Sequence, residues 1–334
     1  MIVARSIAEA RAALRELPRP LGFVPTMGAL HAGHLSLVQA AKADCTSVAA
    51  SVFVNPTQFG RGEDFDMYPR DEARDLRLLE EAGVAVVFMP PADQMYPEGF
   101  ATSVHVGGRL TESFEGASRP SHFDGVAVIV TKLLGVVAPD VLYLGEKDAQ
   151  QLAIVRRFVR DLDLPVEVTG VPTLREPDGL AMSSRNVYLT PEQRAVAPDL
   201  YRALLAGAAA GGAPGAAAKD VVVAATSALL LPDGPLDSDA VDEALAGPRF
   251  ELDYLAVVDE DTFVPEGALG PRSRLVAAAR LGSTRLIDTI SVAVPAGDDC
   301  TDSPSANVPS STSVPSSTNA SQSSSAYPAK DATA

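Results

Sequence analysis

The feature that most constrains this chain is a regular alternation of short, uniformly apolar runs with longer segments of helical spacing. GFVP (22–25), SVAASVFV (47–54), VAVVFM (84–89), 141–144 and 166–171 lack the every-second-residue polarity of a half-exposed strand. Between them, helical patterns run over 33–42, 71–82, 122–137 and 148–161. Strands that are apolar on both faces must be covered on both faces, so the pattern predicts a parallel sheet between layers of helices. Beyond residues 175–178 the order changes. Helical stretches at 191–205 and 218–231 come first, then strands at 251–258, 273–279 and 285–294. The expected class is α/β, with a parallel-sheet domain over 1–175 and a smaller α+β domain over 176–296.

Two segments read as soft. AGAAAGGAPGAAAK (206–219) is Ala- and Gly-rich and is expected to be a flexible connector. In the last 34 residues, 19 are Ser, Thr or Pro, too little apolar surface to offset the entropy of ordering. A disordered, dispensable tail over 297–334 follows.

Composition then narrows the function classes. With a formal net charge of −16, the surface repels a phosphate backbone, so no nucleic-acid partner is expected. No run reaches the length of a spanning helix, and MIVARSIAEARAALREL has charges every few residues, so neither a membrane segment nor a signal peptide is expected. Cys45 and Cys300 are too few and too far apart for a disulfide framework, which suits a reduced, cytoplasmic protein.

Four polar clusters fall at the ends of predicted strands or in a loop at the expected domain junction. In PTMGALHAGHLSL (25–37) the chain leaves a strand, turns through Gly28 and enters a helix with His31 and His34 at its mouth. Residues three apart at a helix start can face one spot. Gly33 permits close approach to the backbone, and the free N–H groups favour an anion there. A polyphosphate fits; a capped surface turn with two solvated histidines is the plainer alternative. No cysteine or carboxylate at ligand spacing completes a zinc site. LGEKDAQQ (144–151) places Lys147 after Gly145 and Glu146, beside Asp148, where a strand gives way to a helix. LAMSSRN (180–186) offers Met182, Ser183, Ser184 and Arg185, two hydroxyls and a guanidinium suited to phosphate oxygens. In VFVNPTQFG (52–60), Asn55 and Gln58 follow a strand; Gln58 and Gln151 are uncharged amides able to bind hydroxyls or a carboxylate.

HAGH before a helix and the later MSSR loop resemble the paired signature elements of the nucleotidylyltransferase superfamily. More closely, PTMGALHAGHLSLV, SVFVNPTQFG, SHFDGVAVIVTKLL, GEKDAQQL and GLAMSSRNVYL, in this order, resemble the pantoate–β-alanine ligase family. That resemblance implies a Rossmann-like nucleotidyltransferase domain with the C-terminal domain closing over the site. It implies condensation of (R)-pantoate with β-alanine, ATP as co-substrate, through a pantoyl-adenylate. By similarity His34 and His31 would meet the phosphates, and Lys147, Ser183, Ser184 and Arg185 would hold them. Met27, Gly28, Gly33, Gly145, Glu146, Asp148, Leu174 and Met182 would line the nucleotide pocket. Gln58, Gln151 and Asn55 would bind pantoate or β-alanine. The resemblance also implies a homodimer and Mg²⁺ with ATP. YPRDEARDL (68–76) offers Asp75 toward the metal, although Arg74 intrudes. The family's flap coincides with EGASRPSHFD (115–124), which leaves the roles of Arg119 and His122 open.

A transferase acting on a phosphate acceptor is a second reading, but it would call for another basic cluster. A nucleotide-binding module without turnover is a third, and it predicts binding with no pyrophosphate release.

Overall fold

The computed structural model describes residues 1–60, 62–230 and 248–292. The tail expected over 297–334, Cys300, and the ends of the segments expected at 218–231 and 285–294 lie outside them. All described residues belong to one compact unit, Met1–Pro295.

Six strands form a wholly parallel sheet: β1 (Ile2–Ala4), β2 (Leu21–Thr26), β3 (Ser47–Val52), β4 (Val86–Phe88), β5 (Val141–Gly145) and β6 (Glu167–Val171). Their order is β1-β4-β3-β2-β5-β6. From β2 the chain winds outward through β3 to β4, then crosses back to β5 on the other side. The reversal opens a crevice beyond the carboxyl ends of β2 and β5, the ordinary ligand position in such sheets. Both histidines and Lys147 follow those two strands.

The helices that cover this sheet are α1 (Ile7–Arg15), α2 (Ala32–Asp44), α3 (Glu72–Glu81), three one-turn helices α4 (Ala92–Met95), α5 (Arg109–Glu112) and α6 (Glu115–Ser118), then α7 (His122–Val137) and α8 (Ala149–Asp161). Successive residues of a strand feed opposite faces. Phe23 and Leu142 enter one core with Phe88, Ile129 and Ile154, whereas Val24 and Tyr143 enter another with Val38, Val87 and Leu79. The predicted strands and helices stand within a few residues of these bounds; α1 was not foreseen, nor were β1 and α4–α6, which are too short to show a period.

The C-terminal part holds α9 (Pro191–Val196), α10 (Asp199–Gly211), α11 (Ala218–Leu230) and an antiparallel sheet of β7 (Phe250–Asp259), β8 (Ser273–Leu281) and β9 (Thr284–Ser291). Two expectations are corrected here. The single helix over 191–205 is two, because Pro198 has no N–H to continue the ladder and instead precedes α10. The connector expected from residue 206 is helical to Gly211. Its small residues serve packing: a Cβ on Gly207 would lie 2.8 Å from Leu275 and 2.9 Å from Ala225, and one on Gly211 would run into Val292.

One contact fixes the turn that leads into α2. Gly28 has φ +80°, and Asp75 of α3, 1% exposed, accepts the N–H groups of Ala29 at 2.9 Å and Leu30 at 2.8 Å. Arg74, beside it, donates to the Leu30 carbonyl at 2.8 Å. Asp75 therefore acts as a brace for the turn, not as the open carboxylate a metal would need, and Arg74 completes the clasp. Asp75→Ala would strand two backbone donors and is expected to cost about 3 kcal/mol in urea denaturation. A loss near zero would show that the turn holds itself.

Candidate active site

His31 is the N-cap of α2, and its Nδ1 accepts the Gly33 N–H at 3.1 Å. Three residues on, the Nδ1 of His34 faces the His31 N–H at 3.4 Å, the reciprocal half of a capping box built from imidazoles. With both Nδ1 atoms accepting, both neutral rings carry their proton on Nε2. The rings lie 4.1 Å apart. Burial, then the nearby Lys147, holds His31 down at about 4; burial, then His31 and Lys147, holds His34 at about 3. Gly33 is required by this stacking, since a Cβ there would lie 2.9 Å from the His31 ring and 3.4 Å from Met182 Cβ.

Lys147 sits in the 3₁₀ turn Glu146–Asp148 that follows β5 and Gly145. It is half-buried, and among the described residues no carboxylate pairs with it. Its neighbour Glu146 is taken by Arg274 at 3.3 Å. Lys147, Asp148, Gln151, Ser183 and Arg185 share the lining of one cavity of about 960 Å³. Ser183 caps the 3₁₀ segment Ser184–Tyr188 by accepting the Arg185 N–H at 3.3 Å. Arg185 is bound to Asp64 through two bonds of 3.1 and 3.0 Å, and Ser184 Oγ lies 3.2 Å from the Tyr68 hydroxyl. Asp64 and Tyr68 were missed by the sequence reading; the 60–68 loop carries no period or turn signature that sets them apart. Leu174 is 39% exposed, and its carbonyl accepts the Met182 N–H at 3.1 Å.

The amide cluster is organised by Asn55, which is 1% exposed. Its Oδ1 accepts the Tyr96 hydroxyl at 2.7 Å; its Nδ2 donates to Gln58 Oε1 at 3.1 Å and to the Gly125 carbonyl at 3.0 Å. Asn55, expected at the substrate, is thus committed to holding Gln58. Gln58 in turn places its Nε2 2.9 Å from Met27 Sδ, joining the 52–60 cluster to the 25–37 cluster. Both Gln150 and Gln151 line the cavity, but Gln150 is buried and its amide is spent on the Leu110 and Ser113 carbonyls.

His122 and Arg119, left open by the sequence, both line the cavity. His122 Nδ1 donates to the Gln58 carbonyl at 2.8 Å, so its Nε2 is the acceptor for Arg119, 3.1 Å away. Burial, with Arg119 adding, brings His122 down to about 4. Arg119 is held by both oxygens of Glu63, at 2.9 and 2.6 Å.

Three histidines are therefore neutral in the folded chain well below the 6.5 at which they protonate when unfolded. The unfolded chain takes up protons first, so the stability present above about pH 6.5 is lost as pH falls toward about 4. Denaturant midpoints should step down between about pH 7.5 and about pH 5. An unchanged midpoint would mean that these rings are not shielded.

With this geometry in place, comparison with known proteins is specific. The family model described as pantoate-beta-alanine ligase matches residues 2–291. A pantothenate synthetase of Thermus thermophilus is 52% identical over 289 residues, 86% of this chain and 98% of the relative. One of Chloroflexus aggregans is 51% identical, with the same coverage. Among solved structures, a Thermus thermophilus pantothenate synthetase superposes with a TM-score of 0.78 at 50% identity, covering 88% of this chain and all of the other. A Francisella tularensis pantoate-beta-alanine ligase complexed with ATP (beta-gamma) and beta-alanine gives 0.67 at 31% identity, covering 87% and 97%. With its family model matched over residues 2–291 and with relatives at half identity, the chain belongs to the pantoate–β-alanine ligase family.

Proposed function

We propose that the chain condenses (R)-pantoate with β-alanine at the expense of ATP, releasing pyrophosphate and then AMP. A carboxylate is a poor electrophile and is first converted to a mixed anhydride. The pantoate carboxylate attacks the α-phosphorus in line, and the bond to the pyrophosphate oxygen breaks. The amine of β-alanine then attacks the acyl carbon, AMP departs, and a proton is lost from nitrogen. Neither step needs an enzyme nucleophile, so catalysis is positioning and electrostatic stabilisation.

The observation that carries this reading is the pair of neutral imidazoles at the start of α2, each with Nδ1 engaged and Nε2–H left as its donor, both within the electrostatic reach of Lys147. The N–H groups of His31 and His34 donate to the phosphoryl oxygens, and Lys147 neutralises charge on the leaving pyrophosphate. Ser183, Ser184 and Arg185 hold the triphosphate, Arg185 exchanging part of its hold on Asp64 for phosphate. Met27, the Gly145–Asp148 segment, Leu174 and Met182 line the nucleotide pocket. Gln58, held by Asn55, and Gln151 receive the hydroxyls and carboxylate of pantoate.

Among the described residues no three His, Cys, Asp or Glu side chains converge on a metal position, and both Asp75 oxygens are engaged. We therefore assign no protein cage for Mg²⁺ and derive no step through one. Accompanying ATP, it would offset negative charge on the phosphates. We further propose that residues 1–175 bind nucleotide and pantoate, that 176–296 close over them, and that the enzyme acts as a cytoplasmic homodimer. No helix among the described residues is long and apolar enough to cross a membrane.

The direct test is pyrophosphate release from ATP and pantoate, with and without β-alanine. Release that becomes sustained turnover to pantothenate and AMP only with β-alanine supports the two-step ligase. ATP binding with no pyrophosphate in either mixture would overturn it. Removing one donor to a developing charge typically costs ~10²–10³-fold, so His34→Ala and Lys147→Ala should each slow adenylation on that scale with the fold retained. A loss of only a few-fold would make that residue structural. Gln58→Ala should raise KM for pantoate more than for ATP; the reverse would move Gln58 to the nucleotide.

A further inference from the structure

The same cavity is also lined by a polar cluster that the reaction as described does not use. Glu115, in the one-turn helix α6, and Arg285, on β9, form a bidentate pair at 2.8 and 2.6 Å. Their side chains are only 11% and 15% exposed. Tyr254 of β7 donates its hydroxyl to Glu115 at 2.8 Å. Arg285 also reaches Asp253 at 2.7 and 2.9 Å, and Ser118 of α6 donates to Asp253 at 3.2 Å. Phe114, just before α6, packs edge-on to the Tyr254 ring, with centroids 5.1 Å apart. Glu115, Ser118, Tyr254 and Arg285 all line the cavity.

Two further features tie this cluster to the chemistry. The Glu115 N–H donates to Gln150 Oε1 at 3.0 Å, so α6 is held to the first turn of α8, where Gln151 is the next residue. β9 is pinned a second time three residues on: Asp288, 3% exposed, takes both arms of Arg175 at 2.5 and 2.9 Å. The Arg175 guanidinium stacks over Tyr201, 3.5 Å from the ring centroid. The two clamps are about 10 Å apart along the strand, and the Asp288 clamp joins β9 to the segment just after the parallel sheet. The Glu115 clamp joins α6 to the antiparallel sheet, with both of its residues on the cavity lining.

We infer that Glu115, Arg285 and Tyr254 are positioning residues that latch the antiparallel sheet over the cavity and keep water from the acyl-adenylate until the amine has attacked. The inference rests on the two-step reading above. The competing reaction balances without any further reagent. Water adds to the acyl carbon, the bond from that carbon to the phosphate oxygen breaks, AMP leaves, and pantoate and a proton are regenerated. An open latch therefore spends ATP without making product.

The test uses the full-length enzyme at saturating ATP and pantoate with limiting β-alanine, and measures AMP against pantothenate. The wild-type enzyme should form the two in equal amounts. Tyr254→Phe keeps the packed ring and deletes one hydrogen bond to a charged group, an effect equivalent to about tenfold in an equilibrium, and AMP formation without product should rise on that scale. Glu115→Gln and Arg285→Ala should leak more than Tyr254→Phe, and Arg285→Lys should fall between the wild-type enzyme and Arg285→Ala. A cluster that merely stabilises the fold would lower the melting temperature and the total rate while AMP and pantothenate stayed equal. Equality in Tyr254→Phe and Arg285→Ala overturns the latch; if Arg285→Ala does not fold, Tyr254→Phe alone decides. Failure of the wild-type enzyme to release pyrophosphate would instead overturn the ligase reading.

Discussion

The first turn of α2 is the constraint on which the site depends. A helix start leaves N–H groups without partners, and an ordinary serine or aspartate cap would satisfy them with a small oxygen. Here imidazoles serve: His31 caps Gly33, and His34 turns its Nδ1 back toward His31. The cap thereby decides which nitrogen of each ring carries the proton. It leaves Nε2–H as the remaining donor of each ring, and burial keeps both rings neutral. Asp75 and Arg74 reach in from α3 to hold the preceding turn, so a bond between distant elements sets the angle at which α2 begins.

Three of the four arginines that line the cavity follow one rule, and Lys147 departs from it. Arg119, Arg185 and Arg285 are each bound by a carboxylate: Glu63, Asp64 and Glu115. Such bidentate pairs fix a guanidinium plane and limit the field it casts into the cavity. Lys147 has no such partner among the described residues, so its field remains available to an anion and lowers the two histidines beside it. This explains how a chain of net charge −16 can still present a site for a triphosphate. The paired arginines shape and close the cavity, and the free lysine attracts.

Much of this was legible beforehand because the relevant physics is local. Apolar runs such as GFVP have no polar face to expose, and this required a covered parallel sheet. His31, Gly33 and His34 lie within one turn, so their cooperation needed no tertiary information. Local signals failed where packing competed with them. The Gly- and Ala-rich stretch after residue 206 reads as flexible, yet Gly207 and Gly211 are small because Leu275, Ala225 and Val292 press on them. Asn55 reads as a ligand group because it is polar and follows a strand, but the Gly125 carbonyl and Tyr96, both distant in sequence, consume it.

The sequence alone determined the alternation of elements, the helix mouth with its two imidazoles, and the lysine after the strand at 141–144, because each follows from residue type and spacing of less than about four helical turns. Only the tertiary structure decided which polar groups remain free to act. Whether Asp75 faces a metal or a backbone N–H, whether Arg185 is paired, and whether Glu115 meets Arg285 across 170 residues depend on long-range hydrogen bonds. A buried polar group takes whatever partner the fold brings to it, and no local pattern records that partner.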